Sequence, residues 1–544
     1  MNYELCINDN VKDFIKKHLN DDVNKLALSK FPEDIDKQFV IRQIQARQVL
    51  SKKLPSWAAN DELIFPKKLS LEQCSSELTA KYKTSLSTNP HETSRKISED
   101  SCDLADEKIS TKLHETSRMI SADSRILADE KISANPHEMT RKGFSADSCD
   151  LADEKEISAD SCDLVDEKEI SADSCDLVDE KEISADSCDL VDEKEIGADS
   201  CDLVDKKRIL VDLTGGMGVD TAFLSDNFDK TFYVEMQEEL CDIAKHNFKI
   251  LNKNIEVVND NAEHFLTTCD EVDCIYLDPA RRDEYGRKMV SLHDCSPDVA
   301  ELHDILLKKA KKVLVKVSPM LDIEMIKKEL TNIIEIHVVA VRNECKEILL
   351  EIQKLKNSKT QNLSNSATQQ LIISATDLRE GWNFSFTEEE ERNAEWTLAD
   401  SVGKYLYEPG IACMKAGCFK LLSQKYNLDK LHRNSHLYTS DELVDDFPGR
   451  IFEVVCAVPF DKKVKKEISL ICQQTTDNGQ QILEESSKLK AQGSRLKASV
   501  AVRNFPLSAE ELKKNLGLQD GNDFYIFGTT MKGEKKVVIL TKKN

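Results

Sequence analysis

Apolar residues recur at helical spacing near the start of the chain, in Phe39-Val-Ile-Arg-Gln-Ile-Gln-Ala-Arg-Gln-Val-Leu50 and, after a capping Ser70, in Leu71-Glu-Gln-Cys-Ser-Ser-Glu-Leu-Thr-Ala-Lys-Tyr82. That spacing predicts amphipathic helices, so residues 1–86 are expected to form a small helical domain. From 208 to about 355 the pattern changes. Short β-branched runs (Ile209-Leu-Val, Thr231-Phe-Tyr-Val, Cys274-Ile-Tyr-Leu, Lys312-Val-Leu-Val-Lys-Val, Ile336-His-Val-Val-Ala-Val) alternate with helical stretches over 238–252 and 300–311. The alternation predicts a parallel sheet covered by helices. A polar loop over 357–370 precedes a last strand, Leu371-Ile-Ile-Ser-Ala, and sheet elements are expected to end near 390. Beyond it lie a segment at 391–448, with Tyr405-Leu-Tyr-Glu-Pro-Gly410 and a helix around 414–426, and a final domain at 449–544.

Between the helical domain and the first sheet strand runs a repeat. Cysteines 149, 162, 175, 188 and 201 mark 13-residue copies, the cleanest being Glu156-Ile-Ser-Ala-Asp-Ser-Cys-Asp-Leu-Val-Asp-Glu-Lys168. Charged residues outnumber Ile, Leu and Val in each copy, so stacked units would have little to bury, and 87–207 is expected to be a disordered acidic insert. Lengthening a connection costs little, since closure entropy grows logarithmically with loop length. The flanking core is therefore expected to tolerate it.

The insert also corrects the picture that composition gives. The chain has 544 residues, more than one hydrophobic core can organise, and a net charge of −24. Residues 143–207 alone carry −17 of that, whereas 449–544 has 17 Lys or Arg against 11 Asp or Glu. A basic C-terminal domain therefore keeps a nucleic-acid partner open despite the overall acidity. The 17 cysteines include no Cys-x-x-Cys pair, the start of the chain carries no export signal, and no long apolar run occurs. Reduced thiols, a cytoplasmic location and no membrane partner are expected.

The candidate chemistry begins at Asp212-Leu-Thr214-Gly215-Gly216-Met-Gly218, a glycine-rich loop between a buried strand and a helix. A dinucleotide site would need a third glycine to seat a pyrophosphate; here Val219-Asp220 follows instead. Acids at both ends suit a cationic ligand without phosphate, such as S-adenosylmethionine, near Asp212 or Asp220. Glu235 ends the next strand, positioned for ribose hydroxyls. Asp260-Asn261-Ala262 follows the third and offers Asp260 to an adenine amine, and Asp278 ends the fourth. This order of acidic stations resembles the motif series of class I methyltransferases.

Asp278-Pro279-Ala-Arg281 is similar to the Asp-Pro-Pro-aromatic signature of amino-group methyltransferases, with an arginine where the aromatic would stand. Arg281 and Arg282, with Arg287 and Lys288, are either an anion-gripping mouth or a solvated basic loop. Lys316 and Ser318 end the next strand beside the same crevice. Pyrimidine carbon methylation would need a thiolate, but Cys274 lies inside a strand. Cys413, Cys418, His432 and His436 approach zinc-finger spacing, yet Cys413-Met-Lys-Ala-Gly-Cys418 reads better as the start of a helix, and no metal is expected.

Taken together, the chain resembles the class I methyltransferases that carry a ferredoxin-like segment and a THUMP-like domain at their C-terminus. The matching stretches are Leu54-Pro-Ser-Trp57, Glu72-Gln-Cys-Ser-Ser76, Asp212-Leu-Thr-Gly-Gly216, Asp278-Pro-Ala-Arg-Arg282, Asp294-Cys-Ser-Pro297, Lys316-Val-Ser-Pro-Met320, Leu406-Tyr-Glu-Pro409 with Met414-Lys-Ala-Gly417, and Val502-Arg-Asn-Phe-Pro506. The resemblance implies an α/β fold: a Rossmann-like class I methyltransferase sheet with an N-terminal helical domain and a small C-terminal α+β domain. It further implies S-adenosyl-L-methionine as donor and a base of a structured RNA, ribosomal or transfer, as acceptor. Two alternatives stay open: an RNA-binding protein with a non-catalytic sheet domain, and a methyltransferase acting on a small molecule or protein.

Overall fold

The computed structural model describes residues 7–87, 207–281, 291–354, 370–468 and 497–543. The acidic repeat, Arg282, Arg287 and Lys288 lie outside them.

Six helices open the chain: α1 (Asp9–His18), α2 (Val23–Leu28), α3 (Lys37–Lys53), α4 (Pro55–Ala58), α5 (Lys68–Gln73) and α6 (Glu77–Leu86). Asp36 caps α3 by accepting from the backbone N–H groups of Gln38 and Phe39. Buried Gln43 exchanges two hydrogen bonds with the backbone of Phe65, which pins the connection after α4. These helices do not form a core of their own throughout. Leu50, Trp57, Phe65 and Ala80 pack with Met217 and Val219 of the glycine-rich loop region and with Tyr233 and Phe248 beneath it. Burial of that shared apolar surface, at roughly 25 cal/mol per Å2, fixes the helices against the sheet.

The first sheet takes strands β1 (Ile209–Asp212), β2 (Lys230–Glu235), β3 (Ile255–Asn259), β4 (Val272–Leu277), β7 (Ala310–Val317), β8 (Ile333–Val341), β9 (Glu344–Gln353), β10 (Ile372–Asp377) and β11 (Trp382–Thr387). A short ribbon, β5 (Ala280–Arg281) with β6 (Cys295–Ser296), stands beside it. The sheet order is β11-β10-β8-β9-β7-β4-β1-β2-β3. The helices α7 (Val219–Leu224), α8 (Glu238–Ile250), α9 (Ala262–Thr268), α10 (Val299–Lys309) and α11 (Ile323–Glu329) connect its strands.

The expectation of a parallel sheet holds for β3-β2-β1-β4-β7 and for the β8–β10 pair, and fails at β9 and β11. β9 turns back from β8 and inserts antiparallel between β7 and β8, and β11 runs antiparallel to β10. The hairpin turn at Arg342 and Asn343 places both at positive φ, 55° and 59°, the conformation of tight turns that match the twist of paired strands.

A further helix, α12 (Glu388–Asn393), leads into the second sheet. That sheet has the order β13-β14-β12-β15-β18-β17-β16, from β12 (Tyr405–Pro409), β13 (Asp429–Lys430), β14 (Tyr438–Ser440), β15 (Gly449–Pro459), β16 (Lys497–Arg503), β17 (Gln519–Met531) and β18 (Lys535–Lys543). The single helix expected over 414–426 is two, α13 (Ile411–Ala416) and α14 (Phe419–Lys425), because Gly417 takes the left-handed conformation at φ 86° and ends the first. The last helix, α15 (Ala509–Leu516), crosses between the parallel strands β16 and β17.

One continuous sheet thus carries strands from both C-terminal segments. Glu408 at the end of β12 is buried and clamped by Arg450 and Arg503. Tyr407, Cys413, Leu422 and Phe447 join the same apolar core as the first sheet. Among the described residues, no helix is long and apolar enough to cross a membrane.

Candidate active site

Strand order reverses direction between β1 and β4, since the chain proceeds from β1 outward to β2 and β3 and then returns to β4. Such a point opens a crevice beyond the strand ends. β1 and β4 pair in parallel register, with Asp212 opposite Tyr276. That register sets Asp212 at the crevice from one side and Asp278, just past β4, from the other.

A cavity of about 260 Å3 fills the crevice. Asp212, Thr214, Gly215, Gly216 and Gly218 line it from the loop, Glu235 from the end of β2, and Asp260, Asn261 and Ala262 from beyond β3. Asp278 closes the far side. The four carboxylates expected at strand ends therefore face one space.

Each is held by its neighbours. Glu235 accepts from the Gly216 N–H at 3.0 Å and the Gln237 N–H at 2.8 Å. Asp260 pairs with His264 at 2.6 Å and accepts from the Asn261 N–H, and the His264 contact holds its pKa below the ordinary value. Asn261 caps α9 through the His264 N–H. The Asp278 N–H donates to the Thr214 hydroxyl at 2.6 Å, tying the fourth strand end to the loop.

The glycines need their missing side chains for a reason other than ligand approach. A Cβ on Gly215 would sit 2.2 Å from the Tyr233 ring, and one on Gly218 would sit 2.8 Å from Phe248. The loop is pressed onto β2 and α8, and the Tyr233 hydroxyl donates to the Gly216 carbonyl at 2.7 Å. Gly215→Ala is expected to destabilise the fold by about 1–3 kcal/mol through overpacking, read as a lower urea midpoint. An unchanged midpoint would mean that the loop yields more readily than this packing implies.

The two acids flanking the loop, either of which was expected near a cationic ligand, are held in different ways. Asp220 is matched inside the protein: it accepts from Ser75 and Tyr276, each at 2.7 Å, and lies 3.3 Å from the Lys83 ammonium. Lys83 is fully buried and also meets Glu347 at 2.8 Å. Asp212 accepts from Thr221 and from the Thr214 N–H, yet burial pushes its pKa up to about 7.

A raised acid pKa means that the buried charge opposes folding. The penalty is absent below the ordinary aspartate value of 3.8, grows as pH rises, and is complete above about 7. Asp212→Asn is expected to remove that slope. Wild type should lose on the order of 4 kcal/mol relative to the variant between roughly pH 4 and pH 8, since each pH unit between the two values is worth about 1.36 kcal/mol. Urea titrations across that range check it; parallel curves for the two proteins would contradict it.

Among the acceptor candidates, Lys316 on β7 reaches the Asp278 carboxylate at 2.5 Å. Burial alone would lower its pKa, but Asp278, Asp220 and Glu347 reverse that and hold the ammonium above its ordinary value. Pro279 and the backbone of Arg281 stand at the same strand end, where Ala280 and Arg281 pair with Ser296 and Cys295. Ser318 accepts from the Met320 N–H in a turn and lines neither this cavity nor its neighbour. Arg282 lies outside the described residues.

Residue pattern alone did not point to Ser75, Tyr276 and Lys83, which meet Asp220, or to Glu347, which meets Lys83. The only trace was Ser75 within Glu72-Gln-Cys-Ser-Ser76, a stretch with no evident chemistry of its own. Cys274 is buried in β4, which pushes its thiol up to about 12. Cys413 and Cys418 are buried side by side, while His432 pairs with Glu534 and His436 stacks on Phe419. Among the described residues, no cluster of three or more His, Cys, Asp or Glu has the arrangement to hold a metal.

Residues 405–448 match a ferredoxin-like domain family, and residues 482–543 match a THUMP domain-like family. Among curated protein sequences, none matches the chain. The fold is similar to the crystal structure of a Porphyromonas gingivalis W83 protein assigned as a methyltransferase, at 26% identity and a TM-score of 0.63, covering 100% of this chain and 98% of that one. An rRNA methylase from Streptococcus thermophilus aligns over 31% of this chain and 99% of its own, at 16% identity and a TM-score of 0.20. SMU.1697c of Streptococcus mutans, solved in complex with SAH, covers 30% and 99% at 17% identity and a TM-score of 0.22. The chain therefore joins a ferredoxin-like and a THUMP domain-like segment to a fold similar to that of a protein assigned as a methyltransferase.

Proposed function

We propose that this chain is an S-adenosylmethionine-dependent methyltransferase that methylates an amino nitrogen on a base of a structured RNA. The observation that carries the reading is the convergence of Asp212, Glu235, Asp260 and Asp278 from four strand ends on one cavity of about 260 Å3.

The residues fit the donor. Each Glu235 oxygen accepts one backbone N–H and keeps a lone pair for a ribose hydroxyl. Asp260 has the same reserve for the adenine amine, beside the backbone of Asn261 and Ala262. Thr214, Gly215, Gly216 and Gly218 shape the wall between them. When bound, S-adenosylmethionine supplies an electrophilic methyl group.

The chain supplies orientation. Lys316 holds one oxygen of Asp278, and the other has no protein partner among the described residues. That oxygen is available to accept an N–H of the incoming amine and turn the nitrogen lone pair toward the cavity. The Lys316 ammonium balances the carboxylate charge and fixes its plane by a charge-assisted hydrogen bond. Pro279 fixes the backbone beside it, and Arg281 and Arg282 are assigned to the nucleotide.

An RNA acceptor is supported by the basic balance of 449–544 and by the match to a THUMP domain-like family. The test is calorimetric titration with S-adenosylmethionine, followed by transfer of labelled methyl to total cellular RNA. Failure to bind the donor would sink the methyltransferase reading. Donor binding without label in RNA would move the acceptor to protein or small molecule.

A further inference from the structure

A second and larger cavity, about 1,080 Å3, opens on the other side of Ser75. Gln73, Cys74 and Ser75 line both spaces, so the link from α5 to α6 is the wall between them. Lys316 lines the larger space while its partner Asp278 lines the smaller. The ion pair therefore joins the two compartments at the candidate acceptor position.

The larger groove is cationic. Of the cations on it, Lys316 is spent on Asp278, Lys81 on Glu77 and Lys346 on Glu344, while Lys53 donates to the Leu71 and Glu72 carbonyls. Lys52, Arg342 and Arg379 have no carboxylate partner among the described residues, and all three are exposed.

The two arginines are set in place by a shared anchor. Asp377, almost wholly buried, accepts from the backbone N–H groups of Arg342, Asn343, Arg379 and Glu380, at 3.0, 2.6, 3.0 and 3.2 Å. One carboxylate thus binds the β8–β9 turn to the β10–β11 turn. Arg342 is kept at a positive φ that a residue with a side chain rarely adopts, and the Asn343 side chain receives the Ile411 N–H at 2.8 Å. The shared anchor sets both turns at the groove that Arg342 and Arg379 line.

We propose that this groove binds the phosphodiester backbone of a single-stranded RNA segment and leads its acceptor base past Lys316 to Asp278. The proposal rests on the methyltransferase reading given above. The groove exceeds the roughly 300–1,000 Å3 of small-molecule pockets, which suits a polymer segment. No aromatic residue lines it, so stacking on bases is not its means of grip. Unpaired arginines grip phosphate and set register without reading sequence.

The experiment uses the full chain and a fluorescein-labelled 20-nucleotide oligouridylate, with anisotropy read over a salt series. A double variant, Arg342→Asn with Arg379→Gln, removes the charge, and asparagine accepts the positive φ at 342. Affinity is expected to fall roughly tenfold and the salt slope by roughly 1.4, that is about 0.7 for each phosphate no longer neutralised. The melting temperature serves as the control for folding. Unchanged affinity and slope in the folded variant would overturn the proposal, as would wild type that ignores the RNA or prefers a labelled polyglutamate of equal length. Calorimetry with S-adenosylmethionine on the same samples separates the two failures. Donor binding intact with RNA binding absent removes the groove alone, whereas loss of donor binding in wild type removes the reading beneath it.

Discussion

Asp278→Asn is expected to slow methyl transfer by about 10^2 to 10^3-fold while donor affinity changes by no more than a few-fold. In the proposed reading this carboxylate orients the acceptor amine; Lys316 holds one of its oxygens, and the other has no partner among the described residues. Asparagine keeps the size and offers one neutral carbonyl, so the interaction survives in weaker form and without charge. Removing one preorganised polar group that faces a reacting atom typically costs a factor of that size. Single-turnover transfer of labelled methyl, with calorimetry for the donor, checks both parts. A variant as fast as wild type would move the acceptor contact away from Asp278.

Lys83→Met is expected to destabilise the protein by about 3–5 kcal/mol, the usual consequence of stripping the counter-charge from a buried ion cluster. Lys83 comes from α6, Asp220 from α7 and Glu347 from β9, so one ammonium binds three elements far apart in sequence. Its removal leaves two buried carboxylates sharing only the more distant Lys316. Adding Glu347→Gln should recover part of the stability, because one stranded charge disappears while Asp220 keeps Ser75 and Tyr276. Urea unfolding of the single and double variants measures the coupling. A change under about 1 kcal/mol for Lys83→Met would show that water reaches the cluster.

That cluster also marks where the sequence was readable and where it was not. Asp212, Glu235, Asp260 and Asp278 were visible because each follows a β-branched run, and the strand period alone predicts which end of the sheet they share. Ser75, Lys83, Tyr276 and Glu347 were not, because their meaning lies in contacts across 56 to 264 residues. β9 was missed for the same reason. Glu347 and Glu351 interrupt its apolar pattern, yet both are buried, the first against Lys83 and the second against Lys312. An antiparallel insertion therefore looked like the tail of a parallel sheet. Leu406-Tyr-Glu-Pro409 and Val502-Arg-Asn-Phe-Pro506 were legible as motifs but not as partners. Their joint product is the Glu408–Arg503 bridge, with Arg450 on the other side.

The seven-stranded sheet, stitched at Glu408 and sharing its apolar interior with the first sheet, makes the C-terminal half a ruler. An RNA-recruiting module on a flexible tether would search for its site and present many nucleotides in turn. On the proposed reading, an RNA gripped on the second sheet would be held at a set distance from Asp278, so the choice of nucleotide becomes a question of length along the RNA.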